Sequence, residues 1–294
     1  MIKFLNKKIK KPQRILIIGS SGIISENLQE YLQKNSIHFK VIGSSEINLK
    51  KKNAHKSLNK KIKKNDVVIF LASEAPCKNA TTLINNLNIC KSVYDGIDPK
   101  IISQLIYISS DAVYSDIKNK INEKSSVNPN NLHGVMHLSR EQMLKSKFEK
   151  ILCTLRPTMI YGKKDTHNGY GPNQFFNLAK KNKNINLFGK GEERRDHVYI
   201  DDITKVLIQC IQKKAVGVIN LVSGNVYSFK YLATKVIKYS NSKSKLIYKK
   251  RNGPMPHNGY RPFNAKLLKI KFSNVRLTNF ENGIRKYLES INQS

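Results

Sequence analysis

A chain of 294 residues, 39% of them hydrophobic, is long enough to bury a sizeable core, as one large domain or as two that share an interface. No apolar run approaches the roughly 20 residues of a bilayer-spanning helix, and no apolar leader segment follows the basic opening MIKFLNKKIKKPQR, so residues 1–13 read as a disordered basic tail on a cytoplasmic protein with no membrane partner. The formal net charge of +33 argues for a polyanionic partner, but the lysines are dispersed among Asn and Ile in KKIKK, LKKKN, NKKIKKN, AKKNKN and YKKRN, as AT-rich codons would scatter them, which disfavours nucleic acid and leaves an anionic small substrate in place.

After the tail, RILIIGSSGIISENLQEYLQKNS runs from an apolar strand through a glycine turn into a helix with Ile24, Leu28, Tyr31 and Leu32 along one side. HFKVIGS is a second strand, and NDVVIFLAS a third whose near-continuous apolar character marks burial on both faces. LINNLNICKSVYDGI is helical, and QLIYISSDAVYS is a further apolar strand running into polar residues. A helix then begins near His133, followed by the strand KILCTLRP and the Pro and Gly punctuation of TMIYGKKDTHNGYGPN. Alternating strands and helices imply parallel pairing with right-handed crossovers, so residues 14–165 are predicted to form an α/β domain with a doubly wound parallel sheet.

From about residue 163 the rhythm loosens. FFNLAKKNKNI and SFKYLATKVIKYSN are helical, VGVINLV is a short strand and FENGIRKYLESI a final amphipathic helix, which assigns 166–294 to a smaller domain with about 197–225 returning to the first. HNGY occurs at 167–170 and again at 257–260, each time in a Gly/Pro-rich loop; turn chemistry accounts for it, and walls of a pocket are the functional alternative. Cys77, Cys90, Cys153 and Cys210 are scattered with no CxxC pair, as expected of reduced thiols outside any disulfide or metal site.

ILIIGSSGIIS sets Gly19 and Gly22 between a strand and a helix. Glycine permits the tight turn and lets the backbone approach a pyrophosphate, whose charge then faces the positive end of the helix. The third position of this fingerprint is Ser25, small enough for close packing. The second strand ends VIGSSE, without an acid at the point where a ribose would be read; Glu46 lies just beyond, and Ser44 and Ser45 with basic neighbours would tolerate an extra phosphate, which leaves NAD and NADP both open.

In order along the chain stand the glycine loop, FLAS, Asn88 in NICKS, YISSDAVYS, HGVMHLSRE, LRPTMIYG, RRDHVYIDD and GVINLVSG. Together, from about Arg14 to Tyr287, they resemble the extended short-chain dehydrogenase/reductase superfamily, and within it the NAD-dependent epimerases and dehydratases of nucleotide sugars. The resemblance implies a Rossmann-type domain, a C-terminal domain holding a nucleoside-diphosphate sugar, and a homodimer joined through helices including 133–147. It places the dinucleotide against Gly19, Ser21, Gly22, Ile23, Ser44, Leu71, Ala72, Ser73, His137 and Pro157, with Thr158 nearby.

The family's catalytic helix carries Y-G-x-x-K-x-x-x-E after a strand that supplies Ser or Thr. Ser110 falls on the Ser/Thr position, Gly134 on the glycine and Glu141 on the glutamate, but His133 replaces the tyrosine and His137 the lysine. A phenol of pKa near 10 needs a neighbouring ammonium to act as a base at neutral pH; an imidazole near 6.5 does not, and a lysine beside it would disfavour its protonated form. Losing both residues together is chemically coherent, with His133 and His137 as an acid/base pair, His137 donating to the nicotinamide ribose and Ser110 holding the sugar oxygen. Three other readings stay open: a degenerate site that binds without catalysing, a metal clamp of His133, His137 and Glu141 at i, i+4, i+8, and an ordinary helix face.

The resemblance assigns Arg195 in ERRDHVYIDD and Arg261 in GYRPF to the diphosphate, which a guanidinium fork suits. Asn88, Asn173, Tyr170 and Tyr260 are the remaining substrate candidates, while Asp201 and Asp202 read as caps of the following helix. Dehydratases of the family show an acidic pair beside the Ser/Thr, and here only Asp111 follows Ser110, which favours an NAD(P)-dependent epimerase or reductase. The alternative is a noncatalytic relative that binds nucleotide sugar or RNA.

Overall fold

The strongest apolar runs of the sequence become strands buried on both faces. In chain order the elements are β1 (Lys3–Phe4), β2 (Ile15–Ile18), α1 (Ile23–Lys34), β3 (Phe39–Ile42), α2 (Ala54–Asn59), β4 (Val67–Phe70), α3 (Ala80–Gly96), β5 (Gln104–Ile108), α4 (Leu132–Phe148) and β6 (Leu152–Pro157). There follow β7 (Met159–Tyr161), α5 (Pro172–Lys180), β8 (Ile185–Phe188), β9 (Arg194–Tyr199), α6 (Ile200–Gln212), β10 (Ala215–Leu221), β11 (Val226–Ser228), α7 (Phe229–Tyr239), β12 (Leu246–Lys249), β13 (Tyr260–Arg261), α8 (Lys266–Lys271) and α9 (Phe280–Asn292). The structure, a computed structural model, describes residues 1–163, 165 and 169–292.

The chain divides into two units, one of Met1–Ser115, Glu123–Pro157 and Thr204–Leu221, the other of Asp116–Asn122, Thr158–Ile203 and Val222–Ser294. The first is an α/β unit around a sheet of order β1-β10-β6-β5-β4-β2-β3, parallel throughout except at β1. β2 pairs with β3 on one side and with β4 on the other, so the order of strands reverses there. In an open parallel sheet the crevice beyond the carboxyl ends of such strands is where ligands bind. One face of the sheet, with Leu16, Ile18, Val68, Phe70, Leu105 and Tyr107, packs on Leu58 of α2, Ile89 and Val93 of α3, and Leu144 and Phe148 of α4.

Residues 1–13, expected as a disordered tail, require a correction. Lys3 and Phe4 pair with Val216 and Ala215, and Ile2 is 2% exposed. Burying one such side chain contributes about 1.5–3 kcal/mol, which together with the pairing to β10 and the backbone bonds of Leu5 and Asn6 works against the chain entropy of ordering, and the added strand covers the open edge of β10. The lysines around Ile2 and Phe4 concealed a two-residue apolar anchor.

The second unit holds β11-β9-β13 with β7 also paired to β9, and a separate parallel pair of β12 and β8. Its core is aromatic: Tyr170 contacts Phe175, Phe188 and Phe229, and Phe176 stacks on Tyr287 at 4.0 Å between centroids. α6 starts at Ile200, with Asp201 and Asp202 in its first turn, where negative charge suits the helix dipole. The buried Asp202 carboxylate also accepts from the Thr278 N–H and hydroxyl at 2.6 and 2.9 Å. No helix among the described residues is long and apolar enough to cross a membrane.

Candidate active site

The glycine turn sits at the reversal of strand order. Gly19 has φ +114°, and a Cβ there would lie 2.7 Å from the Ala72 nitrogen, so only glycine lets this loop approach the end of β4. Gly22, with φ +95°, is the N-cap of α1, and a Cβ there would meet nothing within 4 Å. The space on the side where a Gly22 side chain would stand is therefore open. Ser25 makes up for the missing third glycine by turning its hydroxyl onto the Gly19 carbonyl at 2.6 Å. The Glu26 carboxylate accepts from the Gly22 N–H at 3.2 Å and so already places an anion at this turn. Ser21, Ser44 and Ser73 are exposed, Ile23, Leu71 and Ala72 half-buried, and Pro157, the last residue of β6, buried. Glu46, beyond the end of β3, is engaged by Lys40 and Lys61 at 3.3 and 2.8 Å.

α4 begins where its sequence allows: the Asn131 side chain accepts from the Gly134 N–H at 2.9 Å and caps the helix. Gly134 is needed for close approach, since a Cβ there would stand 2.2 Å from the Ala112 carbonyl oxygen. That contact presses the first turn of α4 against the single 3-10 turn Asp111–Val113, whose N-cap is Ser110, its hydroxyl accepting from the Ala112 N–H at 3.1 Å. His133, half-buried, and His137, 7% exposed, lie one helical turn apart with ring centroids 4.8 Å apart and planes at 85°. Burial holds the His133 pKa below its ordinary value against the pull of Asp111. Burial, His133 and Arg140 hold His137 well below it. Both rings are neutral at pH 7.

Each ring has a partner. Nδ1 of His133 accepts from the Cys77 N–H at 3.4 Å, a long bond, and Nδ1 of His137 lies 2.7 Å from the buried Tyr107 hydroxyl. One turn further on, Arg140 covers the rings of Phe70 and Tyr107 and donates to the Ala72 carbonyl at 2.7 Å. Glu141 does not join the imidazoles. It accepts from the Ser109 hydroxyl at 2.5 Å and from Arg156 at 2.9 and 2.5 Å, and Arg156 donates on to Tyr114. A clamp of His133, His137 and Glu141 therefore does not form, because the carboxylate is already paired with a buried cation.

Asn88 lies exposed on α3. Its neighbour Asn86 is the fully buried one, accepting from the Glu74 N–H and donating to the carbonyls of Glu74 and Thr82. In the second unit, Asn173 accepts from the Gly162 N–H and donates to Asp165, so its amide serves the loop after β7. Arg195 pairs with Glu193 at 2.7 Å and donates to the Pro256 carbonyl; Arg261 pairs with Asp116 at 2.5 Å and reaches His257. Tyr260 is partly exposed beneath Arg194, while the Tyr170 hydroxyl accepts from the Phe188 N–H. Thr158 donates to Asp196. Of the two HNGY loops, His167 and Asn168 of the first lie outside the described residues.

A family model described as the NAD dependent epimerase/dehydratase family matches residues 15–222. The chain belongs to this family. It is 26% identical over 247 residues to the dTDP-D-glucose 4,6-dehydratase of Dictyostelium discoideum, covering 70% of this chain but only 57% of that relative's length. It is 25% identical over 235 residues to the uncharacterized UDP-glucose epimerase YtcB of Bacillus subtilis, covering 68% of this chain and 73% of the other. Among solved structures, a GDP-L-fucose synthetase from Naegleria fowleri matches with TM-score 0.83 at 16% identity, over 99% of this chain and 97% of its own. The UDP-glucose 4-epimerase of Thermus thermophilus in complex with NAD matches with TM-score 0.80 at 17% identity, over 94% and 98%. These structures share the fold.

Within this epimerase/dehydratase fold, the residues that sequence reasoning missed are Tyr107, Arg140, Asn86 and Glu26. For Tyr107 a signal existed: a tyrosine in the middle of a buried strand needs a partner for its hydroxyl, and His137 was the polar residue expected at the same site. Asn86 offered none, since three asparagines at 85, 86 and 88 share one helix and spacing does not choose among them.

Proposed function

We propose that this family member is an NAD(P)-dependent enzyme acting on a nucleoside-diphosphate sugar by hydride transfer, as an epimerase or a reductase, with an imidazole pair in place of phenol and ammonium. One observation carries the reading: an unbroken line of contacts within the first unit, from Gly19 against Ala72, through Arg140 on the Ala72 carbonyl, to His137 and His133 on the same helix beside the Ser110 turn. The relatives' names and the NAD or NADP bound to solved neighbours give it its chemical class.

The turn at Gly19 and Gly22 fits a dinucleotide, and Ser21, Ile23, Ser44, Leu71, Ala72, Ser73 and Pro157 would border it at the carboxyl ends of the parallel strands. When bound, the nicotinamide supplies the acceptor and donor of hydride. The chain's own residues handle the proton. His133 takes it from the sugar hydroxyl and returns it, and the neutral ring that burial enforces is the form able to accept. For Nε2 to accept, the ring must carry its own proton on Nδ1 and turn that nitrogen away from the Cys77 N–H, since two donors cannot face each other; the present bond, at 3.4 Å, is long and resists the turn only weakly. Ser110 would hold the sugar oxygen and His137 the nicotinamide ribose. Arg195 and Arg261 would meet the diphosphate, each sharing or exchanging the carboxylate that it now holds. Tyr170 and Tyr260 would line the sugar or base.

The test is to measure NAD(H) and NADP(H) binding by the purified chain and to screen UDP-, GDP-, dTDP- and CDP-sugars for thermal stabilisation and turnover. His133→Phe is expected to lower kcat by at least about 100-fold, the scale of a lost general base, with dinucleotide affinity unchanged. Normal turnover by that variant removes His133 from its role.

A further inference from the structure

We propose that Tyr107 is a positioning residue that locks His137 as the tautomer protonated on Nε2, so that a neutral imidazole presents a fixed hydrogen-bond donor where relatives would use an ammonium. This rests on the reading above for what the donor meets, but not for the lock itself.

The geometry leaves two arrangements of the 2.7 Å contact between Tyr107 Oη and His137 Nδ1. Either the phenol donates to an unprotonated Nδ1 and the ring's proton sits on Nε2, or Nδ1–H donates to the phenol oxygen. In the second case the phenol hydrogen needs another acceptor. Tyr107 is 1% exposed on β5, with Phe70 5.5 Å away and the Arg140 guanidinium 5.1 Å from its ring centre, and a guanidinium offers no lone pair. Among the described residues no second acceptor stands within hydrogen-bond range of Oη. A buried O–H without an acceptor is penalised, whereas phenol to imidazole nitrogen satisfies both groups. A doubly protonated His137 is opposed by burial and by the charge of Arg140 on the same helix. Burial also keeps the Tyr107 phenol protonated, so its proton is there to give.

The consequence is chemical. A lysine at position 137 would supply a charged donor and depress the basicity of His133; an Nε2–H imidazole supplies the donor without the charge. The exchange of phenol and ammonium for two imidazoles thus depends on a third residue, in the preceding strand, that fixes which nitrogen carries the proton.

The experiment is long-range proton–nitrogen NMR on the full chain labelled with ¹⁵N-histidine, without ligand, comparing wild type, Tyr107→Phe and His133→Phe. The wild type and His133→Phe are expected to show His137 with an unprotonated Nδ1 and a protonated Nε2. Tyr107→Phe removes one hydroxyl from a well-packed site and is expected to shift the ratio of the two tautomers by about tenfold, the scale of one hydrogen bond. It is also expected to weaken NADH or NADPH binding severalfold, while His133→Phe does not. A wild-type His137 protonated on Nδ1 overturns the proposal without reference to any variant, as does a tautomer ratio unmoved by Tyr107→Phe. A wild type that shows the Nε2–H form yet binds neither dinucleotide overturns the functional reading and upholds the lock.

Discussion

At Gly22 two demands meet on one backbone N–H. The N-terminus of α1 favours negative charge, and Glu26 in its first turn supplies it by accepting from that group at 3.2 Å. A pyrophosphate drawn to the same turn would find the carboxylate already there and be repelled by it. Removing the charge while keeping an acceptor separates the two effects. Glu26→Gln is expected to lose about 0.5 kcal/mol of stability, the ordinary worth of an acid at a helix start, and to bind NAD(H) or NADP(H) several times more tightly at low salt. Raising the ionic strength should shrink the difference in affinity, because the groups are partly exposed. Calorimetric titration at two salt concentrations checks both; equal affinities at low salt would mean that Glu26 swings clear of the ligand.

Among the elements, α4 carries most of the candidate site, and its seating depends on polar contacts as much as on its apolar face. Glu141 ties it to Arg156 of β6 and Ser109 beyond β5, both charges nearly out of solvent. Removing one partner leaves the other buried and unpaired. Glu141→Gln is therefore expected to cost about 3–5 kcal/mol in denaturant unfolding, and Glu141→Leu with Arg156→Met to recover much of it. A loss below about 1 kcal/mol for the single variant would show the pair to be solvated in solution. The same helix shows what the sequence made legible. The strand, turn and helix around Gly19, the start of α4 near His133 and the parallel alternation follow from local periodicity, which the fold keeps. The roles of Tyr107, Asn86 and Asn173 do not, because each is set by a group that only folding brings near: a ring nitrogen 30 positions away, the Glu74 backbone, the Gly162 N–H. Ile2 and Phe4 escaped for the same reason, since β10, their partner, lies over 200 positions downstream.

Across the whole molecule, burial of titratable groups ties stability to pH, and the signs compete. His137 in the first unit and His197 in the second are buried neutral, the latter lowered to about 3 by burial, with Nδ1 at 3.2 Å from the Arg195 carbonyl and Nε2 without a partner among the described residues. In the unfolded chain each takes a proton near the ordinary histidine value of about 6.5, so below it the unfolded state holds more protons and acid removes stability. Asp196 acts the other way: burial raises it from 3.8 to about 6 although Ser223, Gly224 and Thr158 donate to it, so the folded state binds this proton first and gains as pH falls through that window. Two histidines outweigh one carboxylate, and the self-repulsion of a chain at +33 grows with each proton added. The urea midpoint is accordingly expected to fall steadily from about pH 7.5 to about pH 5, with added salt restoring part of the loss. His197→Phe, which puts an apolar ring in an apolar site beside Phe229, should flatten that slope by about one proton in linkage analysis. A midpoint that rises on acidification would mean that the raised Asp196 carboxyl, not the buried imidazoles, governs the acid limb.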